Sequence, residues 1–308
     1  MEKDIIFGIC ADVHQRDIYD ATDKIKKFVD EAHERGAKFI IELGDFVLDN
    51  EAGRKLLGEW NKFNGPTYHV LGNHDCEHGG KGPTMALTGQ PSNYYSFDCG
   101  AYHFIVLDTN YFKDNGQYHD YGDNNYHKDF FNCYIPTEQL EWLAADLDAT
   151  DKRCFIFTHA TLAVGDWTVY NIHDFQDAIW RANEKAGFNK VTMCFSGHDH
   201  ADEHLFKGGV HYMIINSMCH KYIGPKYVDE SSHNAEVKAQ FDEPLKHIAR
   251  YKDPLYAFVQ LKSNGLIRII GKQSEYVDYS PLELHWEHYT APQIAYREFW
   301  MNGFCEEK

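Results

Sequence analysis

The chain has 308 residues and a hydrophobic content of 43%, which is ample for a packed core in one large domain or two. Its formal net charge is −17, and it contains no run of lysine and arginine. This balance argues against nucleic acid or an anionic membrane surface as the main partner, because both bind basic surfaces. No apolar run approaches the roughly 20 residues of a membrane span, and we expect no signal peptide before the first strand. The eight cysteines form no C-x-x-C pair, so we expect reduced thiols and a cytoplasmic location.

The first 71 residues alternate between buried strands and amphipathic helices. Gly36 is expected to end the first helix. Parallel strands joined in this way have their C-terminal ends at one edge of a sheet. Strands are predicted at 4–10, 37–43 and 67–71, and helices at 19–35 and 51–63.

The remainder of the chain predicts further strands and helices with less regular connections. Residues 76–92 read as a loop, 217–253 as irregular, and the hairpin at 255–270 turns on Asn264-Gly265. Asp174 is expected to cap a helix that ends near Lys185. Other predicted elements are a hairpin at 94–98 and 101–107, a helix at 138–147, and strands at 153–158, 190–195, 203–206 and 210–215. We predict one main domain at 1–275 and an unplaced C-terminal tail at 276–308.

Polar side chains follow five of the predicted strands, at the point where each strand ends. A single such residue is usually a turn or a helix cap. Five coincidences in one chain instead favour a metal site, because the strand ends can converge. The residues are Asp12 and His14, Asp45, Asn73 and His74, His159, and His198 and His200.

Seven of these residues, all but His74, are candidate metal ligands. They exceed the four ligands of a closed structural zinc site and include no thiolate. The set suits two first-row ions about 3.5–4 Å apart, with Asp45 as the bridging carboxylate. Imidazole and carboxylate together favour manganese, iron or zinc over magnesium or calcium.

The strand-end motifs together resemble the motif set of the calcineurin-like metallophosphoesterases, in that family's order, across residues 5–215. They are D-x-H (Asp12, His14), G-D-x-x-x-D (Gly44, Asp45, Asp49), G-N-H-D (Gly72 to Asp75), His159 and G-H-x-H (Gly197 to His200). The resemblance implies a four-layer α/β/β/α sandwich with a dinuclear metal site. It also implies that Asp12, His14, Asp45 and His200 hold one ion, and that Asp45, Asn73, His159 and His198 hold the other.

Departures from the family's better-known branches narrow the resemblance. Leu48 stands where purple acid phosphatases have a metal-binding tyrosine, and Asn50 stands where protein Ser/Thr phosphatases have an arginine. The chain looks more like the small-molecule members. These include cyclic-nucleotide phosphodiesterases and the manganese-dependent ADP-ribose/CDP-alcohol diphosphatases.

The chemistry expected of such a site is hydrolysis of a small phosphate ester. Two ions lower the pKa of a bridging water toward about 7 and so provide hydroxide as the nucleophile. His74, beside the ligand Asn73, is placed to donate a proton to the leaving oxygen, with Asp75 expected to orient it. The alternative role for His74 is a structural hydrogen bond. Phosphodiesters, nucleotide pyrophosphates and phosphomonoesters all remain open as substrates.

The connection 109–135 is long and rich in aromatic residues. It is expected either to contact substrate, with Tyr118 and His119 as candidates, or to pack on itself as an Ω-type loop. Two other functions on the same fold stay open: a non-catalytic interaction domain, and a nuclease, which the acidic charge disfavours. The expected partner is a small phosphoester, with neither nucleic acid nor membrane.

Overall fold

The structure is a computed structural model that describes residues 4–122, 133–162, 168–224, 247–277, 280–285 and 290–303. Its first three strands are β1 (Ile5–Cys10), β2 (Ile40–Glu42) and β3 (Thr67–His69), which pair in parallel. Helices α1 (Ala21–Glu34) and α2 (Glu51–Trp60) connect them. The predicted β-α-β-α-β series is therefore confirmed, and the three strand ends share one edge.

The helix boundaries have local causes in the sequence. Gly36 follows α1 with φ 64°, and its amide donates to the carbonyl of His33, as predicted for a helix stop. At the start of α2, the side chain of Asn50 accepts a 2.8 Å hydrogen bond from the amide of Gly53. Both helices thus begin and end close to the predicted positions.

A second sheet contains four mutually parallel strands flanked by antiparallel edges. Its neighbours β5 and β8, β8 and β9, and β9 and β11 are parallel. The C-terminal ends of these strands consequently share an edge as well. The elements of this part of the chain are α3 (Lys81–Thr88), β4 (Tyr95–Cys99), β5 (Tyr102–Val106), β6 (Tyr111–Asp114), β7 (Gln117–Asp120), α4 (Thr137–Ala149), β8 (Arg153–Phe157), α5 (Ile172–Ala186), β9 (Val191–Ser196), β10 (Glu203–Lys207) and β11 (Val210–Ile214).

The C-terminal part of the chain completes the first sheet. The strands are β12 (His220–Tyr222), β13 (Ile248–Arg250), β14 (Ala257–Leu261), β15 (Leu266–Ile270) and β16 (Arg297–Trp300). The sheet orders are β16-β15-β14-β1-β2-β3 and β10-β11-β9-β8-β5-β4, while β12-β13 and β6-β7 form separate two-stranded sheets. The predicted hairpin on Asn264-Gly265 is β14–β15.

Three hydrophobic cores separate the layers. Between the two sheets, Phe7 stacks on Phe39 with ring centroids 4.6 Å apart and meets Phe104 edge-on at 5.7 Å. Residues of α1 and α2 pack on the outer face of the first sheet, and residues of α4 and α5 pack on that of the second. The order of layers is therefore the α/β/β/α sandwich that the resemblance implied.

Several elements differ from the sequence predictions. The predicted loop 76–92 contains α3. Gly82 and Pro83 indicated a loop, but they lie in the first turn of α3, where proline is tolerated. Asp174 lies inside the first turn of α5, since that helix begins at Ile172. Within the region 217–253, β12 and β13 form strands, and residues 225–246 lie outside the described residues.

The tail after residue 275 contributes β16, which pairs with β15 at the edge of the first sheet. In the described part of the chain, Cys10, Cys154 and Cys194 are buried free thiols, as predicted. None of the described helices is long and apolar enough to cross a membrane. The cytoplasmic location stays a prediction.

Candidate metal centre

The turns after β1 and β2 are joined by backbone hydrogen bonds. The amide of Asp12 donates to the carbonyl of Gly44 at 3.1 Å, and the amide of His14 donates to that of Asp45 at 2.8 Å. From the second sheet, the amide of His198 donates to Asp12 Oδ2 at 2.9 Å. The strand ends of both sheets therefore meet at one place.

Left-handed backbone conformations concentrate at this meeting point. Seven described residues other than glycine have positive φ, and five of them are predicted ligands. Such conformations cost free energy in residues with a β-carbon and occur preferentially at functional sites. The five are Asp12 (φ 52°), His14 (47°), Asp45 (54°), His198 (68°) and His200 (46°).

We call Asp45, Asn73, His159 and His198 the second half-site. His159 Nε2 lies 2.9 Å from Asn73 Oδ1, 3.2 Å from Asp45 Oδ2 and 3.0 Å from His198 Nδ1. Two donor atoms that are each about 2.1 Å from one ion lie about 3–3.4 Å apart. His159 Nε2 thus lies at about that separation from each of the other three donor atoms.

We call Asp12, His14, Asp45 and His200 the first half-site. His14 Nε2 lies 3.5 Å from Asp45 Oδ2 and 3.9 Å from Asp12 Oδ1, which is in turn 3.4 Å from His200 Nε2. Asp12 Oδ1 and His14 Nε2 are buried and have no hydrogen-bond partner among the described residues. Unpaired buried polar atoms are costly, so the donor set fits a cation at this point.

Backbone carbonyls orient two of the imidazole rings. His159 Nδ1 donates to the carbonyl of Leu43 at 2.8 Å, and His200 Nδ1 donates to that of His220 at 2.9 Å. Because a carbonyl only accepts, Nδ1 carries the proton in both rings and Nε2 faces the centre. This is the usual support of a metal-binding histidine.

Burial and charge set different protonation states at individual histidines of the centre. Burial raises the pKa of the Asp45 carboxyl, but His159 and His74 outweigh burial and hold that pKa well below its usual value. Burial lowers the pKa of His159, yet the charge of Asp45 outweighs it and raises the pKa to about 10. By contrast, burial holds the pKa of His14 well below its ordinary value. A ring that is neutral at pH 7 is ready to bind metal.

Two motif glycines are required because other atoms approach them closely. A β-carbon at Gly72 would lie 2.2 Å from both the amide nitrogen and Oδ1 of Asp45. Gly44 has φ 96°, and a β-carbon there would lie 2.6 Å from Nδ1 of His159. The glycines of these two motifs thus let the two turns and the second sheet come together.

The predicted proton donor His74 lies beside both half-sites. A ring nitrogen of His74 is within 4.8 Å of ligand atoms of His14 and Asp45. Its Nδ1 is 2.6 Å from Glu77 Oε1 and 2.8 Å from Arg16 Nη2, and Arg16 also pairs with Glu77. Burial lowers the pKa of His74, but Asp45 and Glu77 outweigh burial and raise it above its ordinary value of 6.5.

The carboxylate bonded to His74 is Glu77, where the sequence predicted Asp75. Asp75 accepts hydrogen bonds from three backbone amides: those of Asp45 (2.8 Å), Phe46 (3.0 Å) and Gly72 (2.8 Å). These bonds occupy both oxygens of Asp75 and fasten the turn after β2 to the turn after β3. The expected orienting role of Asp75 is therefore corrected to a role in holding the two turns.

Tyr118 and His119 lie on β7, in the β6–β7 hairpin. Tyr118 contacts the ring of Tyr134 at 5.9 Å, and His119 is exposed and stacks on Phe112 at 5.2 Å. No hydrogen bond or ring contact within the described ranges joins either side chain to the half-sites. Residues 123–132 of the same connection lie outside the described residues.

Sequence reasoning missed Arg16, Glu77 and His220. His220 is buried, and one of its ring nitrogens lies within 4.8 Å of nitrogens of His14 and His200. Because β11 is parallel to β9, polar residues that follow it reach the same edge, but the sequence does not reveal that pairing. Arg16 and Glu77 gave no comparable signal, because charged residues in turns are common on protein surfaces.

Two packed sheets with a cluster of histidine, aspartate and asparagine at their common edge define a protein of the metallophosphoesterase class. The model of one family in that class, the calcineurin-like phosphoesterases, matches residues 5–202. The match covers more than half of the chain, which belongs to the calcineurin-like phosphoesterase family.

Known proteins resemble the chain in sequence and in fold. A manganese-dependent ADP-ribose/CDP-alcohol diphosphatase from Oryza sativa subsp. japonica is 26% identical, with 68% of this chain and 82% of that protein covered. A dimetal phosphatase from Danio rerio has a TM-score of 0.61 and 15% identity, with 90% and 99% of the two chains covered. GAP50, the anchor in the inner membrane complex of Plasmodium, has a TM-score of 0.54 and 16% identity, with 99% and 91% covered. Likeness at the last two identities shows the fold alone.

Proposed function

We propose that this protein is a two-metal hydrolase of small phosphate esters, with a nucleotide pyrophosphate as the favoured substrate. The observation that carries the proposal is the convergence of all seven predicted ligands from both sheets, which forms two half-sites that share Asp45. Asp12, His14, Asp45 and His200 would hold one ion, and Asp45, Asn73, His159 and His198 the other. Manganese, iron and zinc all suit these ligands.

Ions bound there supply an activated water as nucleophile and offset charge on the phosphoryl oxygens. The protein's own part is to hold the donors and to deliver a proton. His74, protonated because Asp45 and Glu77 favour its charged form, would donate that proton to the leaving oxygen. Glu77 would hold the ring by accepting a hydrogen bond from Nδ1, and Arg16 would hold Glu77, which leaves Nε2 as the donor atom.

The substrate class rests on three features. The relative from Oryza sativa is named for ADP-ribose and CDP-alcohols, which are nucleotide pyrophosphates. The charge of −17 disfavours a polyanion, so only a ligand whose charge the ions largely meet should bind well. The aromatic side chains of the β6–β7 hairpin, with Tyr118 and His119, would offer stacking surfaces for a base.

A hydrolysis panel in Mn²⁺ tests the proposal. The substrates are ADP-ribose, cyclic nucleotides, p-nitrophenyl phosphate, bis-p-nitrophenyl phosphate, and DNA and RNA oligomers. We expect ADP-ribose to have the highest kcat/KM, and the activity to disappear with a chelator and return with Mn²⁺. Faster cleavage of DNA or RNA would instead support the nuclease. Binding of two ions without any hydrolysis would support the interaction domain.

Replacing Tyr118 and His119 together with alanine tests the substrate-binding part. KM for ADP-ribose should rise more than KM for bis-p-nitrophenyl phosphate, because only the former has a base to stack. Phe188, an exposed aromatic residue after α5, provides the control F188A, which should change neither value. If both KM values are unchanged in the double variant, the hairpin does not bind substrate.

A further inference from the structure

His220 lies at the first half-site but belongs to none of the sequence motifs from which that half-site was predicted. The segment before it is fastened to the turn after β1. The amide of Met218 donates to the carbonyl of Ala11 at 2.8 Å, and the hydroxyl of Ser217 donates to that of Asp12 at 2.7 Å. The amide of His220 in turn donates to Ser217 Oγ at 3.2 Å. These bonds fix the backbone of His220 beside the ligand turn.

The ring of His220 is surrounded by other members of the site. Its centroid is 4.9 Å from that of His14, 4.8 Å from that of His200 and 4.7 Å from that of Tyr222. One of its nitrogens lies within 4.8 Å of nitrogens of His14 and His200. Three imidazoles from three separate segments of the chain therefore converge.

Neither ring nitrogen of His220 has a hydrogen-bond partner in the part of the chain that the structure describes. The residue is 0% exposed, so bulk water cannot satisfy these atoms. Buried imidazoles are ordinarily paired, and here three unpaired buried groups lie together: Asp12 Oδ1, His14 Nε2 and the His220 ring. A cation bound among them would satisfy all three at once.

We propose that His220 is an additional ligand of the ion in the first half-site, beside Asp12, His14, Asp45 and His200. This inference rests on the proposed function, since it requires that the ion binds. With His220 included, the first half-site has three histidines and the second has two, so the first is richer in imidazole. Imidazole-rich sites suit zinc and iron better than the harder ions.

Metal binding by His220→Phe tests the inference, because phenylalanine keeps the ring volume and removes both nitrogens. Mn²⁺ titration with calorimetry should give two ions for the wild type. In the variant, one of the two should bind more than 10-fold more weakly, because outer partners of a ligand alone contribute 10–100-fold in affinity. The absorption spectrum of the Co²⁺ form should also change.

His211→Phe is the matched control. His211 is a buried histidine of β11 whose Nδ1 faces His204 at 3.0 Å and whose Nε2 faces the carbonyl of Trp300 at 3.2 Å. This control should bind both ions as the wild type does. Wild-type affinities and an unchanged Co²⁺ spectrum in His220→Phe would overturn this inference and leave the proposed function unaffected. A wild type that binds no Mn²⁺ would overturn the proposed function and this inference with it.

Crystals of the wild type grown with Mn²⁺ keep the question decidable if His220→Phe does not fold. Anomalous scattering locates each ion directly. A nitrogen of His220 at about 2.0–2.3 Å from the ion of the first half-site supports the inference. A separation beyond about 3.5 Å, with both ions present, overturns it.

Discussion

The two half-sites share Asp45 but differ in how their donor atoms are held. In the second, His159 Nε2 lies 2.9–3.2 Å from three other donors, and the charge of Asp45 raises the pKa of His159 to about 10. A proton on His159 can therefore hydrogen-bond these donor atoms of the second half-site before a metal binds. In the first, donors are 3.4–3.9 Å apart and two atoms lack partners among the described residues.

Backbone strain separates the half-sites in the same direction. All four residues of the first half-site have positive φ, whereas in the second only Asp45 and His198 do. Asn73, for example, has an ordinary helical φ of −67°. The first half-site thus depends on the surrounding packing to hold its donors, and the second is held by contacts among the donors themselves. Each of the following predictions bears on this difference.

The largest effect should come from the shared ligand. Asp45→Asn removes the bridging charge, so both ions should be lost and hydrolysis with them, whereas Asn73→Ala should lose mainly one ion. Elemental analysis of protein purified without chelators measures both. Asp49→Asn is the matched control, because Asp49 is exposed and paired with Arg54. Two ions retained by Asp45→Asn would contradict the bridge.

The next largest effect concerns His74, the proposed proton donor beside His14 and Asp45. His74→Asn should keep both ions and lower kcat by about 10²–10⁴-fold for substrates with poor leaving groups. The loss should be smaller for p-nitrophenyl esters, which need little protonation. Glu77 contributes to the raised pKa of His74, so in Glu77→Gln the alkaline limb of the pH–rate profile should move to lower pH. Equal losses for both kinds of leaving group would reject the acid role.

A smaller effect should follow from crowding the shared ligand. In Gly72→Ala, the new methyl group would press on the amide and carboxylate of Asp45, and the free energy of unfolding should fall by about 1–3 kcal/mol. Gly58→Ala is the control, because Gly58 is exposed in α2 with nothing within 4 Å of a new β-carbon. It should raise stability by about 0.5–1 kcal/mol. Urea unfolding measures both, and equal shifts would show that the turn tolerates the methyl group.

The smallest effect concerns His103, a histidine outside the half-sites whose protonation should change the free energy of unfolding without changing metal binding. His103 of β5 lies 2.7 Å from Asp98 and 2.8 Å from Asp146. Burial lowers its pKa, but these carboxylates outweigh burial and raise the pKa above 6.5. The stabilisation that His103 gains from the two carboxylates is therefore complete below pH 6.5 and disappears as pH rises through the raised pKa.

His103→Gln should consequently lower the free energy of unfolding by about 1 kcal/mol or less at pH 6, and by less at pH 9. Denaturant unfolding at the two values measures this. The metal content of His103→Gln should match that of the wild type at both pH values. A penalty that is independent of pH would mean that His103 stays neutral in the folded protein.

The sequence predicted that these residues converge, because parallel strands place their ends at one edge, whatever the loops do. That rule located Asp12, Asp45, Asn73 and His159 without any knowledge of distances. It failed for His220 because β11 joins the sheet beside β9, and hydrophobic alternation does not reveal which strands pair. It failed for Glu77 because the side chain that reaches a neighbouring ring depends on turn geometry, here a short 3₁₀ turn at His74–Cys76.

The hydrogen bonds of Asp75 have a consequence for exchange kinetics. The amides of Asp45, Phe46 and Gly72 lie in turns, yet all three donate to one buried carboxylate. Deuterium should therefore enter them as slowly as it enters the interior of the sheets. Turns fastened in this way should hold Asp45 in the same place whether or not an ion is bound.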